Sequence, residues 1–205
     1  MDERLRSALT TEDATERMLE VAAVVQEALE DLGIHPVVVG GLAVAYWTDG
    51  AYLTSDIDVV MPSSPRVDER MAALGFEKQG RFWTLPESDI VFEAPDSVLD
   101  PGDEEQEVEL RSGRHVALVR AEDLFVHRLE QLLASPSTDT LQQAINLLKA
   151  PGLDRARLQA RVDDKSLREG LAEVEAFAEK IERGETVETS ELHDMERRIR
   201  HERLH

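Results

Sequence analysis

The chain has 205 residues, with 43 Asp and Glu against 23 Lys and Arg, for a formal net charge of -20 at pH 7. A field so negative leaves no general phosphate-tracking surface and excludes nonspecific DNA binding, so a polyanionic partner has to be met by local cations. A hydrophobic fraction of 41% supplies a real core, and the lack of cysteine removes disulfides, thiolate catalysis and thiolate metal sites together.

Taken in chain order, Met18, Val21, Ala22, Val25, Ala28, Leu29 and Leu32 recur at steps of three and four, which predicts a helix over 11–32. Thr10 or Thr11 can cap its start and Gly33 suits its end. Residues 36–39 form a short β-branched run that reads as a buried strand, followed by Gly40-Gly41 and the small-residue helix LAVAYW. A second strand, SDIDVVM, spans 55–61, and a short helix over 67–74 closes at Gly75. Extended pieces are expected at 76–79, 81–85 and 90–94, then a solvated loop in the first half of the acidic stretch 100–109. EVELR and RHVALV around Ser112-Gly113 read as two strands joined by a tight turn.

Beyond Ala121 the period becomes helical, first over 124–133 and 141–148, then in charged patterns over 153–162, 166–183 and 190–204. The fold class expected is α+β, with a five- or six-stranded mixed sheet flanked by helices in 1–120 and a helical region in 121–205. No stretch is apolar over the roughly 20 residues of a membrane helix, and the charged start MDERLRS is unlike a secretory signal, so a soluble cytoplasmic protein is expected.

Chemistry concentrates in VVVGGLAVAYWTDGAYLTSDIDVV. Alternation along a strand puts Asp56 and Asp58 on one face, roughly 6 to 7 Å apart, with Ile57 and Val59 on the other. Two carboxylates held so close repel unless a cation lies between them, and a hard divalent ion is the natural occupant. Gly40-Gly41, between a strand and a helix, offers a turn without Cβ atoms and free helix N–H groups on which a phosphate can rest. The two elements have 14 residues between Gly41 and Asp56. Neither GxxxxGK[ST] nor GxGxxG occurs, so the phosphate-loop and dinucleotide readings lack their main support.

With GRFW and IVFEAP downstream, VVVGGLAVA and TSDIDVV resemble the nucleotidyltransferase superfamily built on the polymerase-β-like palm, in particular small prokaryotic members related to AbiEii-type toxins. The resemblance covers residues 36–150. It implies transfer of a nucleoside monophosphate from an NTP to a hydroxyl with release of pyrophosphate, and two Mg2+ (or Mn2+) ions as cofactors. It assigns Asp56 and Asp58 to both ions, a third acid on a neighbouring strand to the ion at the nucleophile, and Gly40 and Gly41 to the phosphates. Glu93, in an apolar strand before Pro95, suits the third acid better than Asp89 at that strand's start. The acceptor left open is an RNA such as tRNA, a protein or a small molecule, with a toxin-antitoxin role in view. The alternative is a catalytically inactive nucleotide- or partner-binding module on the same fold.

The sequence departs from the superfamily pattern in two places. Tyr52 stands near the position of an arginine that often precedes the aspartate pair, and His127-Arg128 and Gln142-Gln143 replace a lysine and an acid in the helical half. Arg81, Lys78 and Arg128 are the cations available as substitutes for phosphate contacts, Arg81 foremost. Of Phe82 and Trp83, alternation turns one inward and one outward, while Tyr46 and Trp47 are expected against the sheet. The only local basic patch is the tail with His193, Arg197, Arg198, Arg200, His201, Arg203 and His205, which reads as a solvated helix before it reads as a partner-binding surface.

Overall fold

Short polar side chains set the ends of the first helices. Asp2 opens α1 (Glu3–Ala8) by accepting the Arg4 N–H, and Asp13 opens α2 (Ala14–Leu29) by accepting the Glu16 N–H. The computed structural model describes residues 1–86 and 88–202, the side chains of 201 and 202 excepted. Helix α1 escapes a periodicity reading because six residues hold too few apolar positions, only Leu5 and Ala8 being buried. The cap of α2 is Asp13 rather than Thr10 or Thr11, since those two belong to the turn that leaves α1. A 3-10 turn, Glu30–Leu32, follows α2 and stops at Gly33, whose φ of 68° lies in the left-handed region.

Next come β1 (Val37–Val38), α3 (Gly40–Trp47), β2 (Asp56–Val60) and α4 (Pro65–Leu74). Ser64 caps α4 through the Val67 N–H, with Pro65 in its first turn. Strands β3 (Glu77–Gln79), β4 (Phe82–Thr84), β5 (Val91–Asp96), β6 (Glu105–Glu109) and β7 (His115–Val119) complete the first unit. All join one sheet of seven strands in the order β3-β4-β5-β2-β1-β7-β6. The sheet exceeds the expected five or six strands because every extended piece is incorporated. Within the acidic stretch, Glu105, Glu107 and Glu109 lie on the edge strand β6, where charge is tolerated and discourages pairing with other chains.

Pairing is mixed. β2 runs parallel to β5 and β1 parallel to β7, while β1 with β2, β3 with β4, β4 with β5, and β6 with β7 are antiparallel. Helix α2 packs on β7 and on α3 and α4, and α4 packs on β3. One sheet face is therefore apolar: Ile57, Val59, Phe92 and Trp83 are almost wholly buried there. Phe92 packs edge-on against Phe76 and Trp83, with ring centroids 6.0 and 6.5 Å away. Trp47, on α3, donates its Nε1–H to the Val119 carbonyl at 2.9 Å and meets Tyr46 edge-on.

Contacts divide the chain into two compact units, Met1–Arg120 and Ala121–His205. The second is helical, with α5 (Ala121–Ala134), α6 (Thr138–Leu148), α7 (Arg155–Arg161), α8 (Lys165–Glu182) and α9 (Thr189–Glu202). Ser137, Asp154 and Asp164 cap α6, α7 and α8. The core of this unit draws Leu129, Leu147, Leu158, Val174 and Leu192 from all five helices. Asp123, completely buried on α5, accepts from Arg157 Nη2 at 2.7 Å and Arg161 Nε at 2.5 Å. The last residues of the expected helix, 203–205, and with them Arg203 and His205, lie outside the described residues. No helix among the described residues is long and apolar enough to cross a membrane.

Candidate active site

The face opposite the apolar one carries the acids. In β2 the burial alternates, with Ile57 and Val59 at 0% exposure and Asp56 and Asp58 half-buried. Strand β5 aligns parallel to β2 so that Asp56 faces Val91 and Asp58 faces Glu93. Partners in register on neighbouring strands point to the same side of a sheet at about 4.8 Å spacing, so Glu93 stands beside Asp58. Asp89 precedes β5 and is exposed. The structure thus brings Asp56, Asp58 and Glu93 onto one patch of sheet and leaves Asp89 at its margin.

Immediately after Glu93 the register slips, and Val60 faces Asp96 instead of Pro95. Pro95 has no N–H to give the ladder, so the extra residue falls where pairing is already broken.

Strand β4 lies on the other side of β5, with Phe82 opposite Glu93 and Trp83 opposite Phe92. Phe82 is therefore the outward aromatic on the acid face and Trp83 the inward one. Arg81, at the β3–β4 turn, sets its guanidinium over the Phe82 ring at 4.9 Å and pairs through Nε with Glu93 Oε1 at 2.8 Å. Its side chain is 72% exposed and that of Glu93 13%. Lys78 is engaged on the opposite face: its Nζ lies over Trp83 at 5.1 Å and pairs with the Asp68 carboxylate of α4 at 2.6 Å. In the second unit, Arg128 donates from Nε to Gln143 Oε1 at 2.6 Å.

The glycine corner is built against Asp58. Val39 N–H donates to the Asp58 carbonyl at 2.9 Å, which ties the end of β1 to β2 at that residue. Gly40 then turns into α3 with φ of 62°, and a Cβ on it would overlap Asp58 Oδ2. Gly40 begins the helix itself instead of a separate turn before it. A Cβ on Gly41 would stand 2.8 Å from Thr54 Oγ1 and 3.1 Å from Tyr52 Cε1. No side chain caps α3, so the first-turn N–H groups are not taken by one. Helix N-terminal amides with no side-chain acceptor suit an anion.

One residue of this corner was not singled out by motif. Thr54 donates from Oγ1 to Asp56 Oδ1 at 2.6 Å. Thr54 precedes β2, with a bend at Ser55 between it and Asp56, so strand alternation does not single it out; its signal is a hydroxyl two residues before an aspartate.

The donor set offered by Asp56, Asp58 and Glu93 is all anionic oxygen, the chemistry that hard divalent cations take. The missing Cβ at Gly40 leaves the space in which Asp58 Oδ2 sits, while the carboxylate oxygens of Asp56, Asp58 and Glu93 do not all lie within 4.8 Å of one another, so the residues fit a divalent ion by donor type and shared face. The basic tail has a different surrounding: Arg197 pairs with Asp194, Arg198 with Glu173 at 2.7 Å and Arg200 with Glu196 at 2.7 Å. These arginines sit on a salt-bridged helical surface.

No protein-family profile and no curated protein matches the chain. Among solved structures it is similar to an antigenic nucleotidyltransferase-like protein from Paracoccidioides brasiliensis, at 18% identity and a TM-score of 0.52, over 75% of this chain and 85% of that one. A second, more distant match is the antibiotic-resistance factor ANT(2'')-Ia, at 15% identity and a TM-score of 0.48, over 78% of this chain and 94% of that one. The fold of this chain, a mixed sheet flanked by helices and followed by further helices, is nucleotidyltransferase-like.

Proposed function

We propose that the chain is a magnesium-dependent nucleotidyltransferase that moves a nucleoside monophosphate from an NTP to a hydroxyl of an RNA, a protein or a small molecule. The observation that carries this reading is the register of β2 on β5, which sets Glu93 beside Asp58 on the face that also bears Asp56. The motif order, from VVVGGLAVA to TSDIDVV, supports the further reading of a relative of AbiEii-type toxins with a toxin-antitoxin role.

In this reading Asp56 and Asp58 hold two divalent ions and Glu93 holds the one at the nucleophile. When bound, such ions neutralise the charge of the phosphates and the leaving pyrophosphate. The α3 N-terminus at Gly40 and Gly41 seats the β- and γ-phosphates, and Arg81 adds a guanidinium at the edge of the patch. The acceptor oxygen bonds to the α-phosphorus, the bond to the β-phosphate's bridging oxygen breaks, and the hydroxyl proton passes to Glu93 or to solvent. Catalysis of this kind is chiefly electrostatic, since fixed charges meet the charge that develops on the phosphorus centre.

A second reading, a nucleotide- or partner-binding module without transfer, is favoured by the ion pair of Arg81 with Glu93 and by Tyr52 at the glycine corner. Incubation with each labelled NTP, Mg2+ or Mn2+, and total tRNA, proteins or small alcohols separates the two. Label transferred to an acceptor by the natural chain and lost in Asp58→Ala is the expected result. Metal-dependent NTP binding with no transfer under either ion would favour the second reading. By calorimetry, Asp56→Asn and Glu93→Gln should each weaken NTP affinity and Asp89→Asn should not; the reverse pattern for the last two would remove Glu93 from the site.

A further inference from the structure

Asp56 is held by a neighbour that also fills the glycine corner. Thr54 Oγ1 donates its single proton to Asp56 Oδ1 at 2.6 Å, a short charge-assisted hydrogen bond, and lies 3.5 Å from the Asp56 carbonyl. The same oxygen occupies the space a Cβ on Gly41 would need, at 2.8 Å, with Thr54 Cβ at 3.1 Å. One hydroxyl therefore touches both halves of the proposed site. Thr54 is half-buried, so water competes poorly for that proton.

We infer that Thr54 is a positioning residue that couples the ion-binding carboxylate of Asp56 to the phosphate corner at Gly41; the inference rests on the nucleotidyltransferase reading above. A carboxylate rotates freely about its last torsion unless an outer partner fixes it, and such partners govern ion affinity. By engaging Oδ1, the Thr54 hydroxyl fixes that torsion and leaves Oδ2 as the oxygen Asp56 would offer to an ion. Because the hydroxyl fits only while position 41 lacks a Cβ, a side chain there pushes Thr54 away and releases Asp56. A hydroxyl that served only to start β2 would change stability and leave ion affinity as it was.

The test uses the full chain and Mn2+ alone, followed by calorimetry or water-proton relaxation, with thermal unfolding measured without metal. Thr54→Val should weaken Mn2+ binding about ten- to hundredfold, the range set by outer partners of metal ligands. Thr54→Ser, which keeps the hydroxyl, should restore affinity to within about threefold, and Thr54→Ala replaces the valine variant should that one fail to fold. Gly41→Ala should weaken binding comparably, and Gly41→Ala with Thr54→Val should be no worse than the weaker single variant, since both act through one hydroxyl. Unchanged Mn2+ affinity in Thr54→Val and Thr54→Ala, with Asp56→Asn defective, overturns the Thr54 inference and leaves the functional reading intact. If the natural chain shows no saturable Mn2+ binding that Asp56→Asn weakens, the functional reading falls, and the Thr54 inference with it.

Discussion

Gly40 and Asp58 occupy one space that two side chains cannot share. Gly40 holds φ of 62°, and any Cβ placed on it would overlap the Oδ2 of Asp58. The backbone bond from Val39 N–H to the Asp58 carbonyl prevents the two strands from drifting apart to make room. The glycine corner proposed for the phosphates and the carboxylate proposed for the ions therefore touch only because position 40 lacks a Cβ.

Gly40→Ala should accordingly cost more than a left-handed glycine elsewhere. Gly33 has a similar φ of 68°, but nothing lies within 4 Å of where its Cβ would stand, so Gly33→Ala carries only the backbone strain of about 1–2 kcal/mol. Gly40→Ala adds the displacement of Asp58. Denaturant unfolding of the two variants should show the greater loss for Gly40→Ala, and only that variant should lose Mn2+ affinity.

Arg81 should influence ion and nucleotide in opposite directions. Its guanidinium is paired with Glu93 at 2.8 Å, where it competes with a cation for that carboxylate, yet at 72% exposure it is free to swing to a phosphate. Arg81→Gln is expected to raise affinity for Mn2+ alone and lower affinity for NTP in the presence of Mn2+. Arg81 is exposed but Glu93 is only 13% so, and a mostly buried carboxylate that loses its counter-charge should lower the melting temperature. Affinities that change in the same direction would separate Arg81 from the phosphate.

In the helical unit, the weak point is Asp123. It is completely buried and takes both Arg157 and Arg161, whose side chains are 17% and 21% exposed. Asp123→Ala removes the carboxylate shared by two mostly buried guanidinium groups, Arg157 keeping Glu122 Oε2 at 3.7 Å, so the loss should fall at or below the roughly 3–5 kcal/mol of breaking a buried pair. Urea unfolding followed by circular dichroism should show that loss, with Asp123→Asn intermediate.

The Asp31 to Arg70 pair gives a pH signature. The Arg70 guanidinium, donating to Asp31 Oδ2 at 2.8 Å, holds the Asp31 carboxyl below its ordinary value of 3.8. A lowered carboxyl stabilises the fold above the unfolded-state pKa, and that contribution disappears as pH falls through the folded-state value. The difference in melting temperature between the natural chain and Asp31→Asn should be small and constant at neutral pH and vanish below 3.8. High salt should reduce it too, because the pair is exposed.

Much of the site could be read from local pattern. A period of two puts Asp56 and Asp58 on one face in any extended chain, and two adjacent glycines after a β-branched run announce a sharp entry into a helix. The apolar strand and Pro95 favour Glu93 over Asp89 as the third acid, and Glu93 pairs in register with Asp58, while its role as an ion ligand is part of the proposal. Less visible were the features that need two distant segments at once. Lys78 and Arg81 are three residues apart and equally basic, but the β3–β4 hairpin turns Lys78 to Asp68 on α4 and Arg81 to Glu93. The first half of the acidic stretch, 100–104, is outside any strand as its charge suggests, but β6 begins at Glu105, before EVELR, because an edge strand tolerates charge and edge position is a property of the sheet.

Residue type and spacing along the chain, then, set the alternation of Asp56 and Asp58, the caps that start and stop the helices, and the concentration of chemistry between positions 40 and 58. Register could not be set that way. Whether Glu93 stands beside Asp58, whether Thr54 meets Gly41, and which cation meets which acid depend on how segments apart in sequence settle against one another. That sliding is governed by the burial of Ile57, Val59, Phe92 and Trp83 on the far face, where a slip of one residue would turn every apolar side chain outward and every acid in.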